Sequence, residues 1–318
     1  MKECLQFCFY YLKSKTYPKR TGQLADFLNS KNVKYGKLEL YNASEIHEKI
    51  SASIDSGDAF LVGRYGATEL LMMRNIEFKL NRKISSSLQQ LVQWSGFFPN
   101  DIQYASKFVD IMKKTSNECN IFGFWFNEFE EYFVKKYIPQ NAKCTYLFNI
   151  EPWSNPFNPW TKRLKGKKVL VIHPFAETIK QQYQHREDIF PGTDILPEFE
   201  LKILKAVQTV AGITDDRFDT WFDALEWMYQ EAMKIDFDVA IIGCGAYGFP
   251  LAGKIKKAGK QAIHLAGATQ LLFGIKGKRW DTNPAFEYVR KWYNDAWVYP
   301  CNADTPKLAN KVEGGCYW

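Results

Sequence analysis

An α/β fold, with a Rossmann-like and mostly parallel sheet carrying helices on both faces, follows from three observations. Near-continuous apolar runs of strand length recur along the chain, amphipathic helix-like stretches separate them, and one strand-to-helix turn is rich in glycine. Strands buried on both faces read as unbroken apolar runs, and parallel neighbours need a crossover between them.

In chain order, MKECLQFCFYYLKSK reads as a first helix docking on the core. Its apolar block, Leu5 to Leu12, is too short to span a bilayer and lacks a small-residue cleavage site. Its basic flanks and Phe7, Phe9, Tyr10 and Tyr11 would also let it make peripheral contact with a membrane. Strands are expected at Ala59–Gly63, Asn120–Phe124, Thr145–Ile150, Lys168–His173, Asp238–Gly243 and Gln261–Ala266. The stretch EPWSNPFNPWTKRLKGKK, Glu151 to Lys168, is a connector: either a domain boundary or a long loop over one sheet edge. Asp219 or Thr220 caps a helix carrying Leu225, Met228 and Met233, and Phe249 to Ala258 forms another, closed by Gly259. The expected division is a helical N-terminal elaboration (1–40), one Rossmann-like domain (41–300) and a C-terminal tail (301–318).

Composition narrows the function classes. Hydrophobic residues at 46% and charged residues at 24% describe a packed globular chain and exclude disorder. Aromatics reach 16%; such rings suit sugars and nucleobases, although most must fill the core. The formal charge of +7 is spread along the chain, which argues against a nucleic-acid groove. It suits a phosphorylated small molecule or an anionic membrane surface equally well. Seven cysteines, an odd number without a C-x-x-C pair, point to a reducing cytoplasm and no disulfide. Cys119, Cys144 and Cys244 lie in or beside apolar runs and read as small buried hydrophobes.

Three strand ends carry candidate chemistry. The run FLVGRYGATELLM, Phe60 to Met72, leaves an apolar strand through Arg64, Gly66 and Glu69. Arg64 presents a planar fork suited to a diphosphate, and Glu69 suits a divalent metal or a general base. An Arg64–Glu69 ion pair bracing a tight turn is the plainer reading. At the second end, His173 is followed by Glu177 and Lys180 on a helix; it acts on a proton or a phosphate, or is held by a backbone carbonyl. The third end is Gly243, Gly245 and Gly248, spaced G-x-G-x-x-G before a helix. Such glycines admit a phosphate to a helix N-terminus, or simply allow tight strand-to-helix packing. The next strand ends in His264 where a ribose-binding acid would stand, which disfavours an ordinary NAD site. No H-E-x-x-H, Walker loop or G-x-S-x-G occurs.

The segment Arg64-Tyr65-Gly66-Ala67-Thr68-Glu69-Leu70 resembles the R-F-G-D-G-E-L signature of the bacterial GT-D type glycosyltransferases. The run IIGCGAYGFPLAGKIKKAGKQAIHLAG is similar to that family's closing βαβ unit, so the resemblance brackets roughly residues 40 to 275. It implies a Rossmann-like sugar-transfer domain, a nucleotide-sugar donor, and a glycan or lipid-linked acceptor in cell-surface polysaccharide or glycoprotein assembly. Together with the strand-end readings, it makes Glu69 and His173 the catalytic candidates. Arg64, Gly66, Gly243, Gly245, Tyr247, Gly248 and His264 become nucleotide-sugar ligands. A Mn²⁺ or Mg²⁺ ion on Glu69 is also implied, but Ala67 replaces the signature's aspartate and leaves one carboxylate of the pair. The family's Asp and His at the last strand are replaced as well, with His264 and Gly267 near those places. Another polysaccharide-modifying group transferase and a non-catalytic nucleotide-binding relative are the alternatives.

Overall fold

The computed structural model describes residues 2–318 apart from 37 and 313. Helix α1 (Lys2–Ser14) and α2 (Gly22–Ser30) precede a short hairpin of β1 (Val33–Tyr35) and β2 (Leu38–Tyr41). Then follow α3 (Ala43–Ser56), β3 (Leu61–Gly63), α4 (Ala67–Glu77), α5 (Asn81–Ser95), α6 (Gln103–Ser116), β4 (Ile121–Phe124), α7 (Glu130–Tyr137) and β5 (Lys143–Tyr146). The second half runs β6 (Lys168–His173), α8 (Ala176–Tyr183), α9 (Arg186–Ile189), β7 (Glu200–Lys205), α10 (Trp221–Met233), β8 (Val239–Ile242), α11 (Gly248–Lys257) and β9 (Gln261–His264).

All described strands join one sheet in the order β1-β2-β5-β4-β3-β9-β8-β6-β7. Every pairing is parallel except the β1–β2 hairpin. The chain lays β4 and β5 on one side of β3 and places β6 to β9 on the other. That reversal beside β3 opens a crevice at the carboxyl ends of the strands, the usual ligand position in open α/β sheets. Helices cover both faces, as the unbroken apolar strands require: β3, β4, β8 and β9 are buried throughout.

Gly63 closes the joint between the central strand and α11. A Cβ there would sit 2.3 Å from the Phe249 ring, so the bare backbone is what lets the helix lie flat on β3. Thr220, rather than Asp219, caps α10, in a reciprocal box with Asp223.

Several expectations need correction. The run Thr145–Ile150 is not one strand: pairing ends at Tyr146, and Leu147–Ile150 turns as a 3₁₀ helix. The connector Glu151–Lys168 turns as 3₁₀ helix at Pro152–Ser154 and Trp160–Leu164, with Trp153 and Trp160 buried and the Trp160 indole donating to the Ile150 carbonyl at 2.8 Å. The N-terminal elaboration is not wholly helical, because β1 and the start of β2 fall within it and extend the sheet. Residues 301–318 are no tail: the Thr178 N–H and hydroxyl both donate to the Asp304 carboxylate at 2.7 Å, tying the segment to α8. The described cysteines are all free thiols, with Cys119, Cys144 and Cys244 buried as expected.

Candidate functional site

A cleft of about 770 Å³ opens where the carboxyl ends of β3, β4, β6, β8 and β9 meet, a volume suited to a small-molecule ligand. Arg64, Gly66, Glu69, His173, Gly243, Gly245, Tyr247 and His264 line it together. Gly248 does not line it. Its place is behind the wall, where a Cβ would come within 2.5 Å of His264 Nε2.

The β3–α4 turn supplies the charge. Arg64 follows the last residue of β3, and among the described residues no carboxylate pairs with it. Its Nε is buried without a hydrogen-bond partner. Burial weakens its hold on the proton, only partly offset by the nearby Glu69 and Glu130 carboxylates. The ion-paired turn is therefore not what forms. Glu69 is instead buried and folds back over Gly66, where a Cβ would fall 1.8 Å from its Oε2. Thr68 Oγ1 donates to that oxygen at 2.9 Å and lies 2.5 Å from Ser95 Oγ. The N-terminus of α4 meets the cleft here through Gly66, Ala67 and Thr68, adding unpaired N–H groups and the positive end of a helix.

The glycine turn is explained by protein packing at each position. A Cβ on Gly243 would meet the Ala266 carbonyl at 2.4 Å. Gly245 has φ +56° and would place a Cβ 2.8 Å from the Ser95 carbonyl. Tyr247 is stacked on Trp221 at 5.1 Å and its hydroxyl lies 2.9 Å from Thr209 Oγ1, so it serves as wall more than as ligand. The two histidines differ. The Phe175 N–H donates to His173 Nδ1 at 3.0 Å, so the neutral ring carries its proton on Nε2. Burial lowers its pKa to about 3, with Asp304 opposing. Neither ring nitrogen of His264 has a partner. Burial, with the Arg64 cation adding, brings its pKa to about 3 as well. Both rings are neutral at physiological pH.

Six contributors escaped the sequence reading. Trp125 and Asn127 follow β4 into the cleft, and their backbone N–H groups both donate to Glu130 Oε2 at 2.9 Å. The Asn127 Nδ2 is buried without a partner. Arg20 stands over the Trp125 ring at 5.3 Å, and Phe286 stacks on the same indole at 6.3 Å. From the other end of the chain, Arg279 donates to the Tyr317 hydroxyl at 3.0 Å, and both line the cleft. The β4 end was a readable signal, since WFN directly follows an expected strand. Arg20 lies in an irregular segment, and Arg279 and Phe286 in short helical turns, that only tertiary folding brings near, and no local pattern marks them.

Among the described residues lining the cleft, Lys19, Arg20, Arg64 and Arg279 are set against one carboxylate, Glu69. No three His, Cys, Asp or Glu side chains are grouped as a metal cage among the described residues. With one carboxylate, already bonded by Thr68, these side chains do not fit a protein-built Mn²⁺ or Mg²⁺ site. What they fit is an anion: buried, partnerless N–H donors on Arg64 and Asn127 in a cationic crevice.

No family model matches the chain, and no curated protein matches it. Two solved structures are similar. One, described as the highly conserved domain of unknown function 1792 with a distinct glycosyltransferase fold, is 13% identical at TM-score 0.43, over 85% of this chain and 88% of that one. The other is a selenomethionine-substituted structure of domain of unknown function 1792, 14% identical at TM-score 0.34, over 71% and 83%. At that similarity neither carries a functional reading, which has to rest on the cleft.

Proposed function

We propose that the cleft binds a nucleotide sugar and that the protein is a glycosyltransferase passing the sugar to a glycan or lipid-linked acceptor in cell-surface polysaccharide or glycoprotein biosynthesis. The observation that carries this is Arg64: a half-buried arginine whose Nε is buried and partnerless, at the end of the central strand, in a cleft lined by three further cations. A diphosphate answers that arrangement. It brings acceptor oxygens to unpaired donors and negative charge to a desolvated cation. The similarity of Arg64–Leu70 to the GT-D signature falls on the same turn.

In this reading Arg64, helped by Lys19, Arg20 and Arg279, neutralises the diphosphate as it leaves. His173 offers its Nε2–H as a donor rather than acting as a base, since its Nδ1 lone pair is taken by the Phe175 N–H. His264 contributes one donor and one acceptor at the deep wall. The acceptor hydroxyl attacks the anomeric carbon, the bond from that carbon to the diphosphate oxygen breaks, and Glu69 takes the hydroxyl proton.

Calorimetric titration against a panel of nucleotide sugars, with and without divalent metal, tests the donor class. Binding of at least one donor in the presence of a chelator is the expected result; no response to any donor would overturn the proposal. Turnover of the donor that binds then tests Glu69. Glu69→Gln should keep affinity within a few-fold and lower transfer by about 10²–10⁴-fold. Unchanged transfer would remove Glu69 as the base, and binding without transfer in the wild type would mark a non-catalytic relative.

A further inference from the structure

The outward face of α1 is apolar where a surface helix should be polar. Phe7 and Tyr10 point inward and pack on Phe78, Phe129 and Tyr132. The opposite face carries Leu5, Cys8, Phe9 and Leu12 at the i, i+3, i+4, i+7 spacing of a helical stripe. Leu5, Phe9 and Leu12 are 65%, 58% and 66% exposed, so nothing in the described chain covers them. Scattered exposed leucines need no explanation; an apolar stripe along one helix does.

The charges around α1 are mainly basic, Glu3 on the helix itself being the exception. Lys15 lies against the Tyr11 ring at 4.7 Å, and Lys79 reaches Glu3 at 3.9 Å. Arg82 and Lys83 follow Lys79 on the surface, and Lys19 and Arg20 follow α1 itself. No helix among the described residues is long and apolar enough to cross a membrane. A 13-residue helix with an apolar stripe and a basic surround matches a helix that lies in the headgroup layer instead.

We propose that the outward face of α1 docks this protein on an anionic lipid bilayer. Leu5, Phe9 and Leu12 enter the boundary between headgroups and acyl chains, while the surrounding lysines and arginines meet lipid phosphates. The position has a consequence for the cleft. Tyr17, Pro18, Lys19 and Arg20 form part of its rim and come directly after α1, so docking sets that rim against the membrane. The docking stands whether or not the cleft transfers a sugar, because it is read from vesicle binding alone.

The experiment is co-sedimentation of the full chain with vesicles of phosphatidylcholine, and of phosphatidylcholine mixed with phosphatidylglycerol, at low and high salt. The expected result is pelleting with the anionic vesicles that salt weakens. The Leu5→Ser/Phe9→Ser/Leu12→Ser chain should bind them at least about tenfold more weakly, with an unchanged circular dichroism spectrum. Lys15→Glu/Lys79→Glu, which leaves the apolar face intact, should also lose several-fold and decides the matter if the serine chain fails to fold. Equal binding of wild type and charge-reversed chain, or no pelleting with either vesicle, would overturn the proposal. So would a lipid-free dimer that the serine chain converts to monomer, which would make a second copy the occupant.

Discussion

Replacing Arg64 by methionine should separate binding from stability. Its guanidinium is desolvated, carries no ion pair among the described residues and leaves Nε unbonded, so the folded state bears a cost that a thioether of similar length removes. Arg64→Met is expected to hold or raise the Tm while weakening nucleotide-sugar binding by roughly ten- to a hundredfold, the value of a lost charge-assisted contact. A lower Tm with unchanged binding would return Arg64 to a structural role. Glu130 gives a second test. Burial raises its pKa from 4.5 to about 7, with the Asn127 and Trp125 N–H groups and the Arg64 cation opposing. The folded state therefore holds this proton more tightly than the unfolded chain does. Its stabilisation is complete below pH 4.5 and is lost as pH rises to about 7. Glu130→Gln keeps an oxygen for the two N–H groups, so its Tm should gain on the wild type steadily from pH 5 to 7. Comparing the two chains cancels the opposite trend from His173 and His264, whose lowered pKa values favour the folded state as pH rises. Parallel melting profiles would show that Glu130 does not titrate there. At this scale Arg64 and Glu69 were legible because an apolar run ending in a cation and an anion is unusual; Glu130 was not, since EFEEYF reads as an ordinary charged helix start.

Strands that are buried on both faces were the readable elements, and β6 is the clearest, running over Lys168–His173 in sequence and structure alike. The failures have a common cause: burial pattern, not propensity, decides them. β7 sits at the sheet edge with its side chains only partly buried, so ELKILK presents no apolar run. Leu147–Ile150 is apolar yet leaves the sheet, because a short apolar run does not say whether it continues as strand or turns. The glycine turn was seen, but its three positions are fixed by neighbouring protein atoms as much as by any ligand. That can be measured. Gly245→Ala combines a positive φ with a 2.8 Å approach to the Ser95 carbonyl, and should lose about 1–3 kcal/mol. Gly259→Ala shares the positive φ, at +83°, but opens onto free space, and should lose clearly less. Equal losses by chemical denaturation would mean that backbone conformation alone, not contact with α5, selects glycine at the turn.

Across the whole molecule, the sheet is continuous between the two halves, and the halves meet at its centre. The pairing that joins them is β3 with β9, with Leu61 opposite Ala262 and Val62 opposite Ile263, and the Ala262 N–H donates to the Phe60 carbonyl at 2.9 Å. On its other flank β3 already has β4. Long-range architecture of this kind is not written in any local stretch, and only the general rhythm of strand and helix announced it. For a chain emerging from the ribosome, the joint has a timetable. The central strand is made early, but the strand that seals its second edge arrives roughly two hundred residues later, a separation typical of slow, non-local folding. Until then β3 keeps a row of unpaired amides and carbonyls beside the apolar face that will receive α11. A released chain ending at Gly259 should accordingly remain open to protease through β3 and β4, whereas one ending after Gly274 should be resistant there; equal resistance would mean that the N-terminal half closes its own edge. The last central strand to leave the ribosome is thus the one that finishes the middle of the protein.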